Sequence, residues 1–354
     1  MIKPFASLLL ALVTITVSAQ THQINGEVVG KPQIGDTIYL KKGVIADKYY
    51  TQSLDSAKLT GSDFVLNKNV SYPQMYRVWF ATDRNVLAWR QGIYFIDSST
   101  TKITVNYKAD KLSKANGSTA EEYNSKFISF MTEGVDDDKR ADSLNQLLYD
   151  PNKKADELLL KYVTANPSSY VALWELVERF SNRGQSALRE QVLSAFSAKL
   201  KSEQVWHLLN EDFKNAKIKE NAPFPIIAVK DLKLAPVKLV FPKAKYTLID
   251  YWFCRCLPCL QAIPQMQKIY ATYKNKGFDI VSISVDETVN VPLWQKRVKE
   301  HSLTWTQYLE ENNFRTNELG ITSFPTFILL NSEGKVIWKN FDLDELEKFL
   351  KEKV

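Results

Sequence analysis

Three cysteines, Cys254, Cys256 and Cys259, lie within six residues of one another, and the chain has no others. A structural disulfide framework would distribute its cysteines along the chain, so this grouping indicates a local chemical site. Two thiols three residues apart can share the first turn of a helix, where the first thiol stays exposed beside unpaired backbone N–H groups. We therefore expect the helix to stabilise a thiolate at Cys256 and to lower the pKa of that thiol.

The neighbouring residues suit the same chemistry. Arg255 adds a positive charge that favours the Cys256 thiolate. Cys259 lies one turn further in, where it is placed to attack a mixed disulfide on Cys256 and to release the partner. Pro258 suits the first helical turn, because no acceptor there needs its missing N–H. The pattern predicts a thiol–disulfide oxidoreductase whose cysteine pair is itself the redox couple, with no metal or organic cofactor.

Four alternatives to this chemistry remain open. A zinc half-site would need a second cysteine pair or paired histidines, but His22, His207 and His301 are far apart in the chain. A purely structural disulfide is less favoured, because the pair follows a buried strand and opens a helix. A cysteine peroxidase would need a threonine where Phe253 stands. A redox-inactive module that binds a partner is the non-enzymatic alternative.

The elements that position the cysteines alternate between strand and helix patterns over residues 222–354. A buried strand is predicted at 246–253 and the helix that follows it at 257–274. The further predicted elements are a strand at 278–285, a helix at 291–301, an extended segment at 303–309, strands at 324–330 and 335–338, and a helix at 343–350. A βαβ unit followed by a β-hairpin and a helix predicts an α/β fold with a mixed sheet.

Two regions precede this part of the chain. Residues 22–112 contain short β-branched and aromatic runs between turns, which predict a small all-β domain, either an antiparallel sandwich or a barrel. Residues 118–218 change to a helical period with aromatic stripes, which predict a helical arm that links the two ends of the chain. Ser118 and Glu121 predict a capping box at the first of these helices.

The first 19 residues have the pattern of a secretory signal, with Lys3, an apolar run and small side chains at 17–19. The apolar run is shorter than the ~20 residues of a spanning helix, so an uncleaved membrane anchor is the less favoured alternative. The 354 residues include 46 Lys and Arg and 40 Asp and Glu, a net charge of +6 without a long basic run. This mild excess does not indicate nucleic-acid binding. We expect an exported, periplasmic protein.

The segment 248–259 reads Leu-Ile-Asp-Tyr-Trp-Phe-Cys-Arg-Cys-Leu-Pro-Cys and resembles the active-site strand and helix of thioredoxin-fold proteins. Ser323-Phe324-Pro325-Thr326 matches the loop where that family places a cis-proline facing the disulfide. Residues 222–224 and 277–287 are similar to the TlpA/ResA-like extracytoplasmic branch, which is related to the redoxins. Residues 22–112 resemble, more loosely, a β-domain of unknown function that precedes such domains.

The resemblance implies an enzyme that exchanges disulfides with protein clients and receives electrons from an upstream thiol donor, soluble or membrane-bound. It implies that Asp250 is the family's buried aspartate, which accepts the Cys259 proton, and that Pro325 faces the Cys256–Cys259 disulfide. The residues expected to contact the client are Trp252, Arg255, Leu257, Pro258 and Phe324. Reduction of client disulfides is the expected direction, and oxidation or isomerisation is the alternative.

Three positions depart from the family pattern. Arg255 replaces a tryptophan, Leu257 replaces a glycine or glutamate, and Ala262 replaces a glutamate implicated in proton handling. Arg255 is expected to stabilise the reduced form and to make the pair more oxidising. With alanine at 262, Asp250 is the remaining proton acceptor. Cys254 is interpreted as a small apolar side chain that fills space.

Overall fold

The structure is a computed structural model that describes residues 22–30, 36–42, 47–50, 55–68, 70–80, 93–107, 114–136, 153–321, 323–339 and 342–354. The predicted signal segment at 1–19 lies outside these residues. They form an N-terminal all-β part, a group of helices and a C-terminal α/β part, which confirms the predicted fold class. Within the described ranges, no helix has the length and apolar character that a bilayer crossing requires.

The N-terminal part contains two four-stranded sheets. Its strands are β1 (His22–Val29), β2 (Thr37–Lys42), β3 (Asp55–Lys58), β4 (Asp63–Lys68), β5 (Gln74–Phe80), β6 (Ile93–Ile96), β7 (Lys102–Asn106) and β8 (Lys114–Ala115). The strand orders are β4-β1-β7-β8 and β3-β2-β5-β6. The pair β1 and β7 runs parallel, which departs from the predicted antiparallel arrangement. Ile24 and Ile38, one from each sheet, are buried in the same hydrophobic cluster.

Seven α-helices are described between this part and the C-terminal sheet. They are α1 (Ser118–Glu121), α2 (Ile128–Met131), α3 (Lys153–Ala165), α4 (Tyr170–Arg183), α5 (Ala187–Ala195), α6 (Ala198–Lys201) and α7 (Gln204–Asn215). Their buried faces belong to the same hydrophobic cluster as the two sheets. Trp174 on α4 is buried there, and its Nε1–H donates to the carbonyl oxygen of Pro73 at 2.7 Å. The boundary between a β-domain and a helical arm therefore stays a prediction.

The predicted capping box is wrong. Gly117 is the N-cap of α1, and Ser118 is the first helical residue. The carboxylate of Asp97, which follows β6, accepts from the Thr119 N–H at 2.9 Å and from the Ser118 hydroxyl at 3.1 Å. The unpaired donors at the start of this helix are thus satisfied by another element, which a local sequence pattern does not show.

The C-terminal part is built on one mixed sheet. Its strands are β9 (Ala228–Lys230), β10 (Pro236–Lys238), β11 (Tyr246–Trp252), β12 (Phe278–Ser284), β13 (Thr306–Leu309), β14 (Thr326–Asn331) and β15 (Val336–Lys339), and its helices are α8 (Leu257–Tyr273), α9 (Val291–Glu300), α10 (Phe314–Glu318) and α11 (Leu343–Lys353). The strand order is β10-β9-β13-β12-β11-β14-β15, with β11, β12 and β13 parallel. The predicted strands and helices from 246 onward are confirmed with small shifts at their ends. Sequence analysis missed β9, β10 and α10.

The central strand β11 is covered on both faces. Leu248 and Trp252 pack in the cluster that contains the cysteines and α8, whereas Ile249 and Tyr251 pack in the cluster on the opposite face. Successive side chains point to opposite faces of a strand. Asp250 therefore shares the face of Leu248 and Trp252, on the side of the sheet where the cysteines lie.

The chain just before residue 222 is attached to the sheet edge at β15. The Asn221 N–H donates to the Val336 carbonyl oxygen at 2.8 Å, and the Val336 N–H donates to the Ala222 carbonyl oxygen at 2.9 Å. Ile218 is buried in the cluster on the face opposite the cysteines. A domain cut at 222 thus loses contacts that belong to the C-terminal part.

We expect a fragment of residues 217–354 to be more stable than the fragment 222–354. Burial of one isoleucine side chain contributes roughly 1.5–3 kcal/mol, so the shorter fragment should lose about 2 kcal/mol of unfolding free energy. Urea unfolding followed by circular dichroism measures the difference. Ile218→Ala in the longer fragment is the matched control and should reproduce most of the loss. Equal unfolding midpoints for the two fragments would contradict the assignment of residues 217–221 to the C-terminal part.

Candidate active site

The cysteine pair lies where the predicted helix begins. Cys256 and Cys259 form a disulfide, with their Cα atoms 5.2 Å apart. Cys256 is the N-cap of α8, and its sulfur accepts from the Cys259 N–H at 3.2 Å. Leu257 and Pro258 form the start of the first turn. The positive end of the helix dipole therefore adjoins the Cys256 sulfur, which favours a thiolate there after reduction.

Cys256 is less exposed than predicted. In this disulfide form Cys256 is 4% exposed and Cys259 is 3% exposed, so the expected contrast between an open and a shielded sulfur is absent. The Cys256 sulfur is directed inward, over the first turn of α8, because it accepts from the Cys259 N–H. The outer surface at this point is formed by Leu257 and Pro258, both of which are exposed.

Asp250 lies within β11 and is buried, as predicted from its apolar neighbours. The Ser282 hydroxyl on β12 donates to Asp250 Oδ2 at 2.7 Å, and the Trp305 Nε1–H donates to Ser282 Oγ at 2.8 Å. Burial raises the pKa of the Asp250 carboxyl to about 7, although the Ser282 hydrogen bond acts to lower it. A buried carboxyl that titrates near neutral pH is suited to act as a general base.

The loop before β14 approaches the turn before the cysteine pair. The Phe324–Pro325 peptide bond is cis, as predicted. The Phe324 ring packs edge-on against Phe253, with ring centroids 5.5 Å apart. Phe324 and Pro325 are both partly exposed. The structure thus brings the Phe324–Pro325 loop beside the residue that leads into the cysteine segment.

Of the residues expected to contact a client, Trp252 is buried and Arg255 is exposed. Trp252 is buried in the core cluster with the cysteines, so a client cannot touch its side chain unless that core opens. Arg255 is exposed, and its Nε–H donates to Asn290 Oδ1 at 3.2 Å in the loop after β12. The effect of the Arg255 charge on Cys256 stays a prediction.

Cys254 is buried, but its interpretation as an apolar filler is wrong. Its Sγ–H donates to Asp286 Oδ1 at 3.0 Å, and its backbone N–H donates to Asp286 Oδ2 at 2.9 Å. Asp286 is itself buried just after β12. Burial, together with the hydrogen bond to Asp286 and the charge of that carboxylate, raises the pKa of the Cys254 thiol to about 12. Sequence analysis missed this pair, since its members are distant in the chain.

Three exposed apolar side chains lie at the same end of the sheet as the cysteines. Leu257, Val289 and Phe314 follow the adjacent parallel strands β11, β12 and β13, and are 64%, 77% and 64% exposed. The hydrogen bonds that join their loops include Arg255 Nε–H to Asn290 Oδ1, and Thr288 N–H to Asn312 Oδ1 at 3.1 Å. The carboxyl ends of parallel strands are where α/β proteins bind ligands. Sequence analysis missed Val289 and Phe314.

The part of the chain that contains this site is similar to known proteins. The model of a family described as thioredoxin-like matches residues 244–336, which include the cysteine pair, Asp250 and Pro325. The thiol–disulfide oxidoreductase ResA of Bacillus thuringiensis is 28% identical over 141 residues, which are 39% of this chain and 80% of that protein. ResA of Oceanobacillus iheyensis is 28% identical over 142 residues, 39% of this chain and 68% of that protein.

Solved structures of similar sequence include two from Bacteroides. The thioredoxin domain of a thiol–disulfide oxidoreductase from Bacteroides vulgatus is 32% identical, with a TM-score of 0.35, and the match covers 38% of this chain and 97% of that domain. A thiol:disulfide interchange protein from Bacteroides sp. is 31% identical, with a TM-score of 0.35, and the match covers 38% of this chain and 90% of that protein.

Proposed function

Since the chain belongs to the thioredoxin-like thiol–disulfide oxidoreductases of the TlpA/ResA-like branch, we propose that it reduces disulfides in protein clients through Cys256 and Cys259. The observation that carries this proposal is the disulfide at the N-terminus of α8. In that place the first cysteine is stabilised as a thiolate, and the second lies within reach to displace the client.

The first step is attack by the Cys256 thiolate on a client disulfide. A bond forms between Cys256 Sγ and one client sulfur, the client S–S bond breaks, and the other client sulfur leaves as a thiolate that takes a proton from solvent. The Cys259 N–H and the dipole of α8 both stabilise the attacking thiolate. The exposed Arg255 adds a positive charge near the same helix end.

The second step releases the client. The Cys259 thiol gives its proton to the Asp250 carboxylate, and Cys259 Sγ attacks Cys256 Sγ. The mixed disulfide breaks, the second client sulfur leaves as a thiolate, and two electrons have passed from the pair to the client. Asp250 is suited to this role because its pKa is about 7 and because it lies on the face of β11 that packs toward the cysteines.

The place of action in this proposal is the periplasm, where the export pattern at residues 1–19 would deliver the protein. A disulfide persists in that compartment, so a reductase there must be returned to the dithiol form after each turnover. An upstream thiol donor, soluble or membrane-bound, supplies those electrons. The partly exposed Phe324 and Pro325 border the path of the client on the β14 side.

The function is tested with insulin as the client and dithiothreitol as the electron donor. We expect catalysed insulin reduction by the wild type and none above background by Cys256→Ser. Equilibration of the pair with a glutathione buffer gives its reduction potential. A value near that of thioredoxin, roughly −270 mV, supports a reductase, whereas a value near roughly −120 mV points to an oxidase.

We expect the apolar surface formed by Leu257, Val289 and Phe314 to contact the client chain. Replacing Val289 and Phe314 together by serine should lower kcat/KM for a protein client by about ten-fold, because each side chain then buries no apolar area on binding. Reduction of a small disulfide such as oxidised glutathione should be unchanged. Val65→Ser, on an exposed position of β4, is the matched control. An equal loss with both substrates would contradict a docking role.

A further inference from the structure

Asp286 connects three parts of the active-site end of the sheet. Its Oδ2 accepts from the Cys254 N–H at 2.9 Å and from the Ser284 hydroxyl at 2.6 Å, and its Oδ1 accepts from Cys254 Sγ–H at 3.0 Å. Its carbonyl oxygen accepts from the Asn312 N–H at 3.0 Å. One buried residue thus joins the segment after β11, the end of β12 and the loop after β13.

Cys254 is a potential competitor for the redox pair. It precedes Cys256 closely in the chain, and all three cysteines belong to one buried cluster. A Cys254 thiolate is able to attack the Cys256–Cys259 disulfide, form a bond to one of its sulfurs and release the other sulfur as a thiolate. This exchange conserves electrons within the protein and needs no oxidant. Its product is a wrongly paired protein that cannot resolve a client in the same way.

We propose that Asp286 is a positioning residue that holds Cys254 as a hydrogen-bond-donating thiol, and thereby keeps Cys254 out of disulfide exchange with Cys256 and Cys259. The inference rests on the redox function proposed for that pair. A Cys254 thiolate would lose its hydrogen bond to Asp286 Oδ1 and would face the negative charge of Asp286 in a buried site.

The charges around Cys254 act in opposite directions. Burial raises the pKa of its thiol most, and the hydrogen bond and charge of Asp286 raise the pKa further, whereas the cations of Arg255 and Arg297 lower it. Removing the Asp286 charge leaves burial to oppose a Cys254 thiolate, but it takes away the negative charge that also opposes the thiolate, while both cations remain. The backbone bond from the Cys254 N–H to Asp286 Oδ2 also fixes the chain just before Cys256.

The test cycles the full-length protein between dithiothreitol and oxidised glutathione without any client, and then maps the disulfides by mass spectrometry. The wild type should contain the Cys256–Cys259 disulfide. In Asp286→Asn, a disulfide between Cys254 and another cysteine of the chain should rise roughly ten-fold. In the double variant Asp286→Asn/Cys254→Ser, the native pairing and the reduction rate of a small disulfide should recover. Because no client is present, failure of the proposed client reduction leaves this readout unaffected.

Two outcomes would overturn the inference. If Asp286→Asn contains only the Cys256–Cys259 disulfide, Asp286 does not restrain Cys254. If adding Cys254→Ser does not restore the reduction rate of the small disulfide, Asp286 only supports the loop. If Asp286→Asn fails to fold, the infrared S–H stretching band of the Cys254 thiol, followed across pH, tests the inference instead. In Cys256→Ser/Cys259→Ser, Cys254 is the remaining thiol, and its band should persist to about pH 10, beyond the ordinary thiol range. Loss of the band near about pH 8.5 would contradict the proposal.

Discussion

Cys256→Ser is expected to abolish client reduction, whereas Cys259→Ser is expected to keep the first attack and to trap the client on the protein. A serine hydroxyl at the N-cap of α8 has no accessible alkoxide near neutral pH, so the first bond cannot form. The loss of turnover should be on the order of 10³-fold or more, as for other deleted nucleophiles. Without Cys259, the mixed disulfide on Cys256 lacks its resolving thiol, and the remaining thiol, Cys254, is held in a hydrogen bond to Asp286.

The two variants are compared by gel shift and mass spectrometry after incubation with a disulfide-containing client. Cys259→Ser should accumulate a covalent adduct that dithiothreitol releases, and Cys256→Ser should form none. Cys254→Ser is the matched control, because it removes a neighbouring sulfur but keeps a hydrogen-bond donor toward Asp286. An adduct on Cys256→Ser, or turnover retained by it, would show that another cysteine is the nucleophile.

The parts of the site that sequence analysis predicted lie within one continuous stretch of chain. A buried strand followed by a helix locates Asp250, Cys256 and Cys259, because alternation along the strand and the start of a helix are local properties. The burial of Asp250 followed from its apolar neighbours. The low exposure of Cys256 did not follow from the sequence, because the direction of its sulfur over the first turn of α8 depends on the packing of the folded protein.

The parts that sequence analysis missed depend on which loops meet at the sheet edge. Asp286 reaches Cys254, and the exposed Val289 and Phe314 lie at the same end of the sheet as Leu257, because β11, β12 and β13 are neighbours in the sheet. Strand order is a tertiary property that no local pattern encodes. The cap that Asp97 supplies to α1 was missed for the same reason. The sequence showed the cysteine pair but not the side chains that neighbouring loops bring to the same end of the sheet.

Asp250→Asn is expected to slow resolution of the mixed disulfide by about 10²-fold, since a positioned general base contributes roughly that much. Formation of the mixed disulfide should be almost unchanged, because Asp250 acts on Cys259 and not on Cys256. In the wild type the resolution rate should rise with pH through about 7 and then level, as the Asp250 carboxyl loses its proton. The asparagine variant should lack this inflection.

The same substitution should stabilise the fold above neutral pH. The Asp250 pKa is raised in the folded protein, so between the ordinary carboxyl pKa and about 7 the native state holds a proton that the unfolded state releases. The contribution of Asp250 to stability is therefore fully present in acid and is lost as the pH rises through 7. The full difference corresponds to roughly 4 kcal/mol as an upper bound. Urea unfolding at about pH 8 should show the asparagine variant to be more stable than the wild type.

Ser282→Ala distinguishes a titrating Asp250 from an indirect structural effect. This change keeps the carboxylate but removes the hydrogen bond that the Ser282 hydroxyl donates to Oδ2, and that bond acts to lower the Asp250 pKa. The inflection in the resolution rate should therefore move to higher pH, while the plateau at alkaline pH stays close to that of the wild type. Stopped-flow measurement of client release across pH, with wild type, Asp250→Asn and Ser282→Ala side by side, gives the three profiles. An inflection that survives in Asp250→Asn, or one that does not move in Ser282→Ala, would assign the proton transfer to another group.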